Sequence, residues 1–138
     1  MKEQKGFASL YAICVLLILS VLGMAAYTAI HKEMKTSRHF VVQSALAAEA
    51  QSGILAAASD LREHPEKVTG IGASQEKQIW SGENAEGDIA CNVYARKQGE
   101  NIHLMAQSIK EKQKARIFAQ MKLNTHGKYE ISRWGAFE

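Results

Sequence analysis

The sequence predicts an α+β protein: a long N-terminal helix, half membrane-spanning and half amphipathic, packed on a small antiparallel β-sheet. Three observations predict it. From Gly6 to Ile30 no residue is charged, whereas the rest of the 138-residue chain carries all 17 Lys/Arg and 14 Asp/Glu. No proline then occurs before Pro65, and strong helix formers fill the interval. Beyond it, from Ile89, apolar residues recur with period two. At 46% hydrophobic and 22% charged, with 10 Gly and 1 Pro, the chain is neither disordered nor collagen-like. A net charge of +3 is too mild to imply a nucleic-acid partner by itself.

The first element is FASLYAICVLLILSVLGMAAYTAI, residues 7–30. A helix of that length measures about 36 Å, enough for a hydrocarbon core of about 30 Å. Lys2 and Lys5 precede it, and Ala25-Ala26 could sit near a secretory cleavage site. The apolar core of a cleaved signal is shorter, about 7–15 residues. Lipidation at Cys14 is unfavourable, because bulky Ile13 precedes it.

The second element, residues 31–62, continues the helix. Phe40, Ala47, Ile54 and Leu61 recur every seven residues. Ala50 and Ala57 fall between them, and Val41, Ala48 and Leu55 widen the stripe. No Gly/Pro/Ser-rich linker separates Ile30 from Val41, so one helix is expected rather than a span, a linker and a second helix. Glu63-His64-Pro65 ends it, since the residue before proline avoids helical geometry.

Residues 63–138 form the head. Residues 65–88 read as an irregular connection with a short strand at Lys77–Ser81. Ile89, Cys91, Val93 and Ala95 then alternate with polar positions. Gln98-Gly99-Glu100-Asn101 is a turn, after which Ile102, Leu104 and Ala106 alternate. Ala115, Ile117, Ala119, Met121 and Leu123 make a further strand, Asn124–Lys128 a turn, and Tyr129–Trp134 the last strand. Short turns imply an antiparallel meander with one apolar face to cover. The helix stripe is the available cover. Ile54, Leu55 and Leu61 are expected against Ile89, Val93, Leu104, Ile117 and Met121.

Lys5-Gly6-Phe7 opens the apolar stretch. A short basic leader, a glycine, a phenylalanine and a long apolar helix resemble the type IV prepilin signal. The long helix and small antiparallel sheet also resemble the type IV pilin-like family. MKTSRHFVVQSALAAEAQSGI is similar to the post-membrane helix of PilX-type minor pilins. The chain's size, and its ending near Ile131-Ser132-Arg133-Trp134, are similar to ComGG-type competence pseudopilins. The resemblance implies a leader at residues 1–6, cleaved between Gly6 and Phe7 by prepilin peptidase, with N-methylation of Phe7. It implies a minor pilin or pseudopilin in a type IV pilus or a competence (DNA-uptake) pseudopilus. Other pilins, an inner-membrane assembly platform and membrane lipid would be its partners, and the head would be extracytoplasmic. Charge does not secure that orientation, since Lys2 and Lys5 stand against Lys32, Lys35 and Arg38 across the span. Major pilins carry glutamate at the fifth mature position. Here that position is Tyr11, which is the pattern of a priming or tip subunit, because no earlier neighbour offers an amine to neutralise. Filament-core contacts are assigned to Tyr11, Ser20 and Gly23, with Ser9, Ala12, Ala25 and Ala26 allowing close helix approach. The competing expectation is a signal-anchored extracytoplasmic binding domain with no filament role.

No catalytic constellation stands out. The five histidines form no H-E-x-x-H pair, and no C-x-x-C or G-x-S-x-G occurs. No cofactor, metal or enzymatic activity is therefore expected. Cys14 and Cys91 are expected to be free thiols. Lys110, Lys112, Lys114 and Arg116 form a basic run near Phe118, Tyr129 and Trp134. They could contact DNA, although Lys110-Glu-Lys-Gln-Lys114 also reads as a solvated hairpin tip.

Overall fold

A computed structural model of the chain describes residues 2–135, with side chains from Gly6 onward. Met1 and residues 136–138 lie outside the described residues, as do the side chains of the leader residues Lys2, Glu3 and Lys5. The element order is α1 (Lys2–Glu63), α2 (Glu66–Thr69), β1 (Glu76–Glu83), β2 (Ala90–Gln98), β3 (Asn101–Lys110), β4 (Gln113–Leu123) and β5 (Tyr129–Trp134). The chain divides into two compact units, Met1–Phe40 and Val41–Glu138. The head thus begins inside α1 and includes its last residues, not only those after Glu63.

The first unit is helical. Its Ser20 and Thr28 hydroxyls donate to the Leu16 and Ala25 carbonyls, at 2.7 and 2.9 Å. These two hydroxyls are thereby satisfied within the helix, which an apolar solvent requires. One helix near the N-terminus is long and apolar enough to cross a membrane.

In the second unit, a five-stranded sheet of order β1-β2-β3-β4-β5 packs one face on the helix, and neighbouring strands are antiparallel. Leu46, Ala50, Ile54, Ala57, Ala58 and Leu61 are the buried apolar helix positions. Ala50, Ile54, Ala57, Ala58 and Leu61 share one core with Cys91, Val93 and Ala95 of β2, Ile102, Leu104 and Ala106 of β3, and Ala119 and Met121 of β4. The alternation expected from the sequence is present in all three strands. Ser108 continues the helix-facing row of β3. Its buried hydroxyl donates to the Leu46 carbonyl at 2.6 Å, fixing sheet to helix where no apolar contact could.

Small residues set the spacing of the layers. A Cβ on Gly53 would lie 2.6 Å from Cys91 Sγ, 3.2 Å from Trp80 Cζ3 and 3.3 Å from Val93 Cγ2. The glycine lets the helix backbone approach β2 this closely.

Several expectations require correction. Leu55 is 52% exposed and does not cover the sheet. Phe40, Val41 and Ala48 also lie outside the buried stripe. The stripe is rotated toward Leu46, Gly53 and Ala58, where Gly53 packs close against Cys91, Trp80 and Val93. Leu123 is 53% exposed at the end of β4. Residues 65–88 are more ordered than expected: Pro65 starts the short α2, which buries Val68, and β1 is longer than Lys77–Ser81. A register shift between Gln78 and Trp80 leaves Trp80 opposite Val93 on the core side. Asn84 and Asn124 organise equivalent turns. Asn84 Oδ1 accepts from the Asp88 and Ile89 amides, at 3.0 and 3.1 Å, and Asn124 Oδ1 from the His126 and Lys128 amides, both at 2.9 Å.

Candidate functional site

Two surfaces of this chain need an explanation beyond folding. The first is the apolar helix of residues 7–30. Gly6 and Phe7 lie within α1, and Phe7 is 75% exposed. Leu10, Tyr11, Leu16, Leu17, Val21 and Leu22 are exposed with it. Burying such side chains is worth roughly 1.5–3 kcal/mol each, so this surface demands lipid or protein cover. Ser20 is exposed with its hydroxyl satisfied, and a Cβ at Gly23 would meet nothing within 4 Å. Tyr11, Ser20 and Gly23 are thus all open to a neighbour. Among the described residues, no cluster of three His, Cys, Asp or Glu could hold a metal ion. Cys14 and Cys91 are both free thiols, Cys14 exposed and Cys91 buried.

In the head, the back of the helix carries a second stripe. Val41, Ala45, Ala48, Ser52, Leu55 and Ser59 are all exposed and follow alternating steps of four and three residues. That spacing keeps them on one seam of a helix, directly opposite the seam of Leu46, Ala50, Ile54, Ala57 and Leu61 that the sheet covers.

The second surface is the face of the sheet turned away from the helix. Register places Tyr94 of β2 opposite Met105 of β3, and Met105 opposite Phe118 of β4. This apolar row crosses the three central strands. On one side it is flanked by Arg96, His103 and Gln120, which are mutually in register, and on the other by Asn92, Gln107 and Arg116. Glu76, Tyr94, Arg96, His103, Met105 and Phe118 line a concavity of about 340 Å³ there.

The basic run divides around this face. β3 and β4 meet at the Glu111-Lys112 tip, where Glu111 has φ 52°. Lys112 is exposed at that tip, as the solvated reading expects. Lys110 is tied to Asp88 by an ion pair and hydrogen bond. This bond raises the Lys110 ammonium above its ordinary pKa and lowers that of the Asp88 carboxyl. Lys114 and Arg116 are exposed and share the outer face with Phe118. Tyr129 packs against the core instead, so it is not part of this surface, and Trp134 lies on the edge strand β5.

Known proteins give no further guide. No protein-family model, curated protein or solved structure matches the chain.

Sequence reasoning followed the basic residues along the chain and missed the row across it. The signal was available. The two-residue turn Gly99-Glu100 fixes the β2–β3 register, and that register alone puts Tyr94 beside Met105.

Proposed function

We propose that the chain is a minor subunit of a type IV pilus-like filament, membrane-anchored before assembly and without a catalytic site of its own. The observation that carries this reading is the helix of residues 7–30, uncharged throughout and with its large apolar side chains exposed. Lipid satisfies such a surface before assembly, and like helices satisfy it in a filament core. The exposed seam from Val41 to Ser59 supports the same reading, because a simple membrane anchor has no need of a seam of small and apolar residues outside the bilayer. Lys5-Gly6-Phe7 supplies the processing site, and the head stands on the extracytoplasmic side.

Mass spectrometry of the membrane-extracted protein tests this. The mature chain is expected to start at Phe7, with one methyl group on its amine and the apolar helix retained. Gly6→Val should leave the leader in place, since a branched side chain does not fit a site shaped for glycine. An intact leader in the parent, or a mature chain starting near Ala26, would overturn the proposal. The first outcome favours a plain anchored domain and the second a secreted one.

A further inference from the structure

From the outer face of the sheet we infer a binding platform for single-stranded nucleic acid, on which Tyr94 and Phe118 stack bases and Arg96, Lys114, Arg116 and Lys122 hold phosphates. This inference does not rest on the filament reading.

Charge argues for it first. The three central strands, Ala90–Gln98, Asn101–Lys110 and Gln113–Leu123, contain six lysines and arginines and no aspartate or glutamate. A surface selected only for solubility mixes both signs. Four of the six cations, Arg96, Lys114, Arg116 and Lys122, alternate onto the outer face with Tyr94, Met105 and Phe118. Lys110 lies on the other side, spent on Asp88. Carboxylates reach this face from the edge strands β1 and β5: Glu76 stands opposite Arg96 and Glu130 opposite Lys122, which leaves Lys114 and Arg116 with no carboxylate in register.

Aromatic placement argues for it next. Tyr94 and Phe118 are partly exposed and stand two strands apart, about 9–10 Å at ordinary strand spacing. That exceeds the distance at which two rings pack on each other, about 4.5–7 Å between centroids. Each ring is therefore free to take a flat ligand, and Met105 between them is a soft, polarisable floor. Amide side chains flank the row: Asn92, Gln107 and Gln120. They offer both donors and acceptors to base edges. Cations along the phosphates with aromatic rings under the bases is the general chemistry of single-strand recognition. A duplex hides its base faces within the stack and could use only the cations. An anionic polysaccharide would likewise engage the charges without the bases.

The test uses the full chain in detergent micelles and a fluorescein-labelled 15-mer of deoxythymidine at low salt, read by fluorescence anisotropy. The competitors are a duplex of equal length and a heparin fragment of matched charge. The single strand is expected to bind at least tenfold more tightly than either. Tyr94→Ala and Phe118→Ala should each weaken it about tenfold, the loss of roughly one base–aromatic stack. Phe118→Tyr should retain binding. Arg116→Gln and Lys114→Gln, at exposed positions that cannot unfold the head, should each flatten the dependence of log affinity on log salt by about 0.7. Equal affinity for strand, duplex and heparin would overturn the proposal in favour of a nonspecific cationic surface. So would an affinity unchanged in Phe118→Ala with an unaltered unfolding midpoint, or the absence of binding at low salt.

Discussion

Gly53 stands where the helix packs close against the sheet, and its substitution should reverse a familiar sign. In an open helix Gly→Ala stabilises by about 1 kcal/mol. Here the new methyl would meet Cys91 Sγ at 2.6 Å, with Trp80 and Val93 close behind. Overpacking of this kind costs about 1–3 kcal/mol, so Gly53→Ala should lower the urea midpoint of the head. Cys91 itself is walled off by the same contact. Burial, with a smaller effect from the Glu49 carboxylate, pushes its thiol up to about 11. In a Cys14→Ser variant, iodoacetamide at pH 8 should leave Cys91 unmodified until urea unfolds the head. Fast labelling of the folded protein would contradict the packing described for β2. Asp60 gives the head an acid limb. Its hydrogen bond from Lys67, aided by the charges of Lys67 and His64, holds the carboxyl below its ordinary value of 3.8. The folded state therefore binds this proton more weakly than the unfolded state. The resulting stabilisation is present above about pH 4 and is lost as pH falls below it. Asp60→Asn should flatten that part of a stability–pH profile measured by urea titration.

The element with the most at stake is the part of α1 that covers the sheet. Ile54 is fully buried and its neighbour Leu55 is 52% exposed, so the two should separate cleanly in unfolding measurements. Ile54→Ala should cost about 2–5 kcal/mol. Leu55→Ala should stay within about 0.5 kcal/mol, as surface substitutions do. Equal effects would mean that the helix phase is wrong. The same pair marks how far the sequence could be read. The helix, its end at Glu63, the alternation of β2 to β4 and the order of strands were all legible, because period and turn chemistry are local properties. The buried seam of Ala50, Ile54, Ala57 and Leu61 was legible too, but the side on which it widens was not. Seven alanines between Ala45 and Ala58 make several phases nearly equal in hydrophobicity. What selects among them is a close approach at Gly53, which is visible only when the partner strand is known. The short α2 and the β1 irregularity escaped for the opposite reason: each is a few residues long and held by neighbours rather than by its own pattern. The outer sheet row escaped because Tyr94, Met105 and Phe118 are remote in sequence and meet only through register.

For the whole molecule, the filament proposal makes a statement about numbers of subunits. A subunit of the shaft needs an acid near its N-terminus to meet the amine of the subunit ahead, since an unpaired amine in an apolar core is costly. Tyr11 provides no acid. A tip subunit has no such neighbour to neutralise. The protein should therefore be scarce in sheared filaments by quantitative labelling against the major subunit, while its deletion should sharply reduce their number. Tyr11→Glu should bring no gain in assembly. Stoichiometric labelling along the shaft would refute the tip position and leave the fold untouched.

The sheet order β1-β2-β3-β4-β5 also sets a timetable. Each strand pairs with the one made just before it, and the helix that covers them all is made earlier still. When the head emerges N-terminus first, each strand finds the helix and the preceding strand already present. No loop has to close around a strand that is yet to arrive, and few long-range contacts must form before they are rewarded, which favours fast folding. A head completed in this order leaves little time for unpaired strands of neighbouring copies to meet.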